Sequence, residues 1–168
     1  MRMREISSHN PYNEESVWRP DVTVATIVAR DGRFLTVEER VRGELVLNQP
    51  AGHLEPNESL ADAALRETFE ETGWRVELEH LVGVYQWANG AGDHFVRFTF
   101  GARALRHDPR HALDDGIVRA SWLTRDEIAS GGLRPRSPMV LKGIDDWLAG
   151  QRLPLAAVQS LSATAERT

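Results

Sequence analysis

Glu67, Glu70 and Glu71 stand at i, i+3 and i+4, a spacing that in a helix projects all of their carboxylates from one side. Like charges held that close repel, so the arrangement asks for a cation. Hard divalent ions such as Mg2+ prefer oxygen ligands, keep several waters and bridge a few carboxylates to substrate phosphates. Such ions stabilise charge on a phosphoryl oxygen and activate water, and two of them about 3.5–4 Å apart clamp attacking and leaving oxygens. A solvated acidic helix shows the same three letters, so the neighbouring residues decide between the two.

Those neighbours describe one unit of loop, helix and stop. At about 100° per residue, Ala61, Leu65, Thr68, Phe69 and Thr72 collect opposite the acids, and this is the face expected to dock on a core while the acids point away. Ala63 and Ala64, beside the acids, are short and leave room for an approaching ligand. Ser59 followed by Asp62 is a capping-box pattern, and Gly73 is placed to end the helix in the left-handed conformation. Upstream, 49–58 holds Pro50, Gly52, Pro56 and Asn57, a loop signature.

Read together, Gly52, Glu58, Arg66, Glu67, Thr68, Glu70, Glu71, Gly73 and Trp74 match the pattern G-x5-E-x7-R-E-U-x-E-E-x-G-U. This stretch resembles the signature of the Nudix hydrolases, with Thr68 standing where the pattern takes an aliphatic residue. The resemblance implies an α+β Nudix fold, a mixed β-sheet sandwiched between helices. It implies that Glu67, Glu70 and Glu71 ligate Mg2+, or Mn2+ as the alternative ion, with the carbonyl of Ala51 as a further ligand. Arg66 and Glu58 are implied to orient the catalytic carboxylates, and Glu70 is one candidate for the base that deprotonates water. Spacing alone also allows Arg66 to be an ordinary i,i+4 partner of Glu70, worth about 0.3–0.5 kcal/mol. The family often draws an extra carboxylate from the loop before the strand carrying the tryptophan matched by Trp122. Asp114 or Asp115 would fill that part, and turn-forming aspartates ahead of Gly116 are the plain alternative.

The elements that must position these residues follow from hydrophobic patterning. Residues 21–29 (DVTVATIVA) are β-branched and too continuous to be half exposed, so they form a central strand. Asp31-Gly32 turns the chain into a second strand over 33–41, and Arg42-Gly43 into a short third one over 44–49. After the helix, 75–87 and 94–105 are two longer strands joined by 88–93 (ANGAGD), whose glycines make it mobile or tightly turned and so a candidate lid. Thr124 and Glu127 form a second capping box for a short helix that Gly131-Gly132 ends, and a last helix runs over 139–148. The expected organisation is a flexible arm over 1–16, one domain over 17–158 and a flexible tail over 159–168, with fraying expected to set in from Leu155.

Outside the box, candidate substrate contacts are Gln49 (or Asn48) at the mouth of the site, Trp87 for ring stacking, and Arg134 and Arg136 for phosphate. Tyr85 and Trp87 share a strand face, for which core packing is the plainer use. His94 and Arg97 are possible phosphate contacts, and read more simply as exposed polar residues on a strand.

Composition narrows the function classes. Of 168 residues, 41% are hydrophobic and 27% charged, the balance of a single soluble domain with a real core. No run reaches a membrane span and 1–16 lacks the apolar segment of a secretory signal, so cytoplasm is the default expectation. With no cysteine, thiolate metal sites and cysteine nucleophiles are excluded. A net charge of -5 argues against a broad nucleic-acid-binding surface, yet a bound cation would still admit a phosphorylated small molecule. A monomer or homodimer is expected.

The flanks VTVATIVARDGRFLTVEE, LNQPAGHLEPNESL, YQW and RSPMV resemble small bacterial phosphatase-type members that act on nucleoside tri- and diphosphates and thiamine pyrophosphate. Asn89 replaces the proline usual in ADP-ribose pyrophosphatases, and Gly90 and Ala91 replace the tyrosine of dinucleoside polyphosphate hydrolases. The implied reaction is cation-dependent hydrolysis of a phosphoanhydride that releases phosphate. The alternatives are a pyrophosphatase acting on a nucleoside diphosphate linked to another group, such as ADP-ribose, and a non-catalytic nucleotide sensor. Sensors usually lose box glutamates, and this chain keeps them all.

Overall fold

The computed structural model describes residues 18–161; the arm expected over 1–16 and positions 162–168 of the expected tail lie outside them. At the centre runs β1 (Asp21–Arg30), parallel to β6 (His94–His107) with Val24 opposite Phe98. β5 (Trp74–Ala88) pairs antiparallel with β6 along its length. At its far end β1 turns into β2 (Arg33–Val41) through Asp31 and Gly32, both with positive φ, as the two-residue hairpin requires. β2 then carries β3 (Glu44–Asn48) on one side and β7 (Ile117–Leu123) on the other. The sheet order is β3-β2-β1-β6-β5, with β4 (Ala51–His53) against β1 and β7 against β2.

Period-two alternation splits the core into two layers. Val24, Leu81 and Phe100 pack beneath α1 (Leu60–Thr72), against Ala63 and Ala64. Ile27 and Val82 face the other way, onto Ile128 of α2 (Arg125–Ser130) and Val140 and Ile144 of α3 (Pro138–Leu148). Burying each large aliphatic side chain contributes about 1.5–3 kcal/mol, so both faces of the sheet need their helices. The result is a mixed sheet between helices, as the resemblance implies. Among the described residues no helix is long and apolar enough to cross a membrane.

Both ends of α1 follow local chemistry. Ser59 Oγ accepts the Asp62 amide at 3.0 Å and donates to the Asp62 carboxylate at 2.7 Å, so Asp62 holds the cap hydroxyl rather than the cap amide. Gly73, at φ 69°, closes the helix by donating to the Phe69 carbonyl at 2.8 Å. At α2 the full reciprocal box between Thr124 and Glu127 is present.

Four expectations change. The docking face of α1 is rotated from the one expected: Thr68 and Thr72 are buried as expected, but Ala63 and Ala64 join them and Leu65 is 38% exposed. Small residues win because they let the helix lie close to β1, where Thr68 Oγ1 meets Thr26 Oγ1 at 2.7 Å. That seating rolls the acids inward rather than away, leaving Glu67 only 9% and Glu71 only 7% exposed. The stretch read as loop contains β4, whose pairing with Thr23–Ala25 fixes the backbone before the helix. Of the two readings of 88–93, mobile or tightly turned, the structure has the turn, in which Asn89 Oδ1 accepts the amides of Ala91 and Asp93 at 2.9 Å. Finally, the chain past Leu155 is anchored instead of frayed: Leu153 pairs with Leu81, Leu155–Ala157 form a 3-10 turn, and Val158 packs on the α1 layer.

Candidate functional site

β4 and the acidic side of α1 enclose a cleft of ≈ 360 Å3 together with the starts of β1, β6 and α3 and the end of β5. Glu67 and Glu71 line it. Gly52 is what lets Glu67 in, because a Cβ at that position would overlap the Glu67 carboxylate. Glu71 Oε2 accepts the Ala51 amide at 2.9 Å, so the last acid of the box is tied to the residue just before the box glycine.

Arg66 organises the other side. Its Nε and Nη2 donate to the Glu58 carboxylate at 3.0 and 2.7 Å, a two-pronged grip that fixes the guanidinium plane. From there Nη1 reaches Glu67 at 2.8 Å and Glu70 at 3.0 Å, and Nη2 also donates to the His53 carbonyl at 3.1 Å. The contact with Glu70 is the ordinary i,i+4 pair, but it is one of several, and the bond to Glu58 is the one that aims the group.

Asp114 joins this cluster from the loop before β7. Oxygens of Glu67, Glu70 and Asp114 all lie within 4.8 Å of one another. The loop is pinned to the helix by the Asp114 amide donating to the Glu70 carbonyl at 3.1 Å, with His111 Nε2 3.3 Å from the same oxygen. Asp115 is not part of the group.

Electrostatics mark these acids as ill at ease without a cation. Burial pushes the Glu71 carboxyl up to about 8, and repulsion from Glu67, Glu39 and Asp114 adds to the shift against the Ala51 hydrogen bond. Burial likewise raises Glu67, in spite of Arg66. Glu58, by contrast, is held low by its hydrogen bonds to Arg66. A set of converging oxygen donors with unfavourable shared charge fits a hard divalent ion.

The remaining candidates divide. Trp87 lines the cleft and stacks on Phe95 at 5.5 Å, while Tyr85 on the same strand face bonds Asp146 of α3 at 2.9 Å. Arg136 lines the cleft and pairs with the buried Glu39. Arg134 lies outside it, exposed and paired with Glu44 at 2.9 Å. Gln49 is not at the mouth: it is 1% exposed and its amide nitrogen donates to the Val140 carbonyl at 2.8 Å, holding α3 to β3. Its neighbour Asn48 lines the cleft and donates to Glu39 at 2.9 Å.

Arg97, for which an exposed strand position is the simpler expectation and a phosphate contact the alternative, is buried in the cleft wall, 6% exposed. Burial and the neighbouring Arg136 pull its guanidinium down to about 10, against the opposing pull of Glu39 and Glu71. The available signal was register, since Arg97 pairs with Thr23 on β1 and Tyr85 on β5 and so sits in the middle of the sheet.

Comparison with known proteins agrees with this geometry. The family model of the NUDIX domain matches residues 17–144. The chain is 38% identical over 142 residues to Phosphatase NudJ of Escherichia coli (strain K12), covering 84% of this chain and 92% of that protein. Among solved structures, a NUDIX hydrolase from Nitrosomonas europaea superposes with a TM-score of 0.83 at 45% identity, covering 85% of this chain and 98% of that one. A UDP-X diphosphatase shares the fold at a TM-score of 0.66 and 19% identity, covering 82% of this chain and 67% of that one. With Gly52, Glu67 and Glu71 of the box lining the cleft and the family model matched over residues 17–144, the chain belongs to the Nudix hydrolases.

Proposed function

We propose that the protein hydrolyses a phosphoanhydride of a nucleoside tri- or diphosphate, or of a thiamine-type pyrophosphate, with Mg2+, and releases phosphate. The observation that carries this reading is the convergence of Glu67, Glu70 and Asp114, with Glu71 alongside, at the edge of a cleft that also holds Arg97 and Arg136. Likeness to a protein named a phosphatase supports release of a phosphate over release of a nucleotide.

Glu67, Glu70, Glu71, the Ala51 carbonyl and Asp114 would hold the ion, which neutralises phosphoryl charge and lowers the pKa of bound water. Mn2+, with the same preference for oxygen, would serve in its place. Arg66 keeps Glu67 and Glu70 in place, itself fixed by Glu58. We assign to Glu70 the proton released as the water oxygen bonds to phosphorus and the bridging P–O bond breaks. Glu70 suits this because it is the more exposed of the box acids, its side chain 35% accessible.

A screen of nucleoside tri- and diphosphates, thiamine pyrophosphate and ADP-ribose with Mg2+, read by product analysis, tests the proposal. Orthophosphate as the main product is expected; AMP from ADP-ribose as the main product would contradict it.

A further inference from the structure

Phe69 stands inside the box at a position where the pattern sets no requirement. It does not join the buried face of α1, which Ala63, Ala64, Thr68 and Thr72 fill. A phenyl ring in that place needs other cover. His111, from the loop between β6 and β7, supplies it: the two ring centres are 4.2 Å apart with 39° between their planes. The Arg75 guanidinium lies on the Phe69 ring as well, at 4.1 Å.

The loop also meets a need of the helix. The last carbonyls of a helix have no partner within it and form its negative end, and the last turn of α1 contains no basic residue. Asp108 donates its amide to the Gly73 carbonyl at 2.9 Å, and Asp114 donates its amide to the Glu70 carbonyl at 3.1 Å. His111 Nε2 lies 3.3 Å from that same Glu70 oxygen. A carbonyl oxygen only accepts, so Nε2 is a ring nitrogen that carries a proton. His111 thus fastens the loop by its ring face and its ring edge at once.

What the loop carries is Asp114, whose carboxylate comes within 4.8 Å of those of Glu67 and Glu70. Those two are placed by a helix; Asp114 is only as well placed as the loop that bears it. Groups that touch no metal but hold its ligands in place are worth about 10–100-fold in affinity. We propose that His111, seated on Phe69 and bonded to the Glu70 carbonyl, is a positioning residue that sets Asp114 as a cation ligand beside Glu67 and Glu70. It touches neither ion nor substrate and acts through Asp114. The inference rests on the proposed reading of these acids as a cation site.

Calorimetry with Mn2+ alone tests it and needs no turnover. Asp114→Asn lowers the affinity about 10-fold or more, and His111→Ala lowers it about 10-fold. The double variant binds as Asp114→Asn does, because the place of the carboxylate no longer matters once its charge is gone. A histidine that merely stabilised the fold would weaken binding as much in the Asp114→Asn background as in wild type. His111→Gln, which keeps an N–H donor, recovers part of the loss. In the wild-type protein, nitrogen NMR of the His111 ring finds Nε2 protonated, a reading that needs no variant to fold. Wild-type Mn2+ affinity in His111→Ala, independent losses in the double variant, or an unprotonated Nε2 overturns the inference, while weaker binding by Asp114→Asn leaves the cation reading standing. Wild-type affinity in Asp114→Asn defeats the cation reading of Asp114 and the inference with it.

Discussion

Glu71 Oε2 accepts the amide hydrogen of Ala51 at 2.9 Å, which joins the last acid of α1 to the strand that carries Gly52. The bond holds a carboxylate in a place where burial and three neighbouring acids oppose its charge. Glu71→Gln keeps an oxygen to accept the amide but removes the charge. Turnover should fall about 100-fold or more, in line with several kcal/mol of charge stabilisation lost at one tenfold per 1.4 kcal/mol.

The same residue gives the cation-free protein a pH signature. Its folded value, about 8, lies above the ordinary 4.5. The native state therefore holds more protons than the unfolded state between those values, and stability falls as pH rises through that window. Thermal melts in chelator should show wild type losing stability from pH 5 to pH 8.5 and Glu71→Gln losing less. Parallel pH curves for the two proteins would count against the burial argument.

Gly52 is required by space. Its backbone lies where a methyl group would strike the Glu67 carboxylate, so Gly52→Ala must displace Glu67. Expected is a drop in kcat of about 10-fold or more with circular dichroism unchanged. Wild-type kcat in this variant would show that Glu67 does not need its present position.

Thr26 and Thr68 join the sheet to the box helix. Thr68 Oγ1 gives its one proton to the Ala64 carbonyl at 2.7 Å, so the 2.7 Å contact with Thr26 is donated by Thr26. Thr68→Val leaves that buried hydroxyl without an acceptor and should cost about 1–3 kcal/mol in urea unfolding. Thr26→Val should cost less, and the double variant less than the sum of the two singles. Strict additivity would mean the hydroxyls are not coupled.

What sequence reading reached and missed has a physical pattern. The box helix, its Gly73 stop and the alternation of β1 were legible because periodicity, a left-handed glycine and β-branched runs are local properties. The roll of α1 was not: Leu65 and Phe69 outweigh Ala63 and Ala64 in hydrophobicity, but the alanines allow the closer approach. Phe69 finds cover elsewhere, with the Arg75 guanidinium 4.1 Å from its ring centre. The burial of Arg97 was not legible because the letters R and F at neighbouring strand positions give the face and not the depth, and depth was set by pairing with both β1 and β5. That Asp114 rather than Asp115 lies beside Glu67 and Glu70 was not legible, because it follows from a hydrogen bond of the Asp114 amide to the Glu70 carbonyl, a contact between residues far apart in the chain.

Hydrolysis by this protein should require a cation held by the acids of α1. The most direct test is the rate of orthophosphate release from a nucleoside triphosphate by chelator-treated protein, before and after Mg2+ is restored. Release should be at background without the ion and return in full with it; undiminished release in chelator would contradict the role given to Glu67, Glu70 and Glu71.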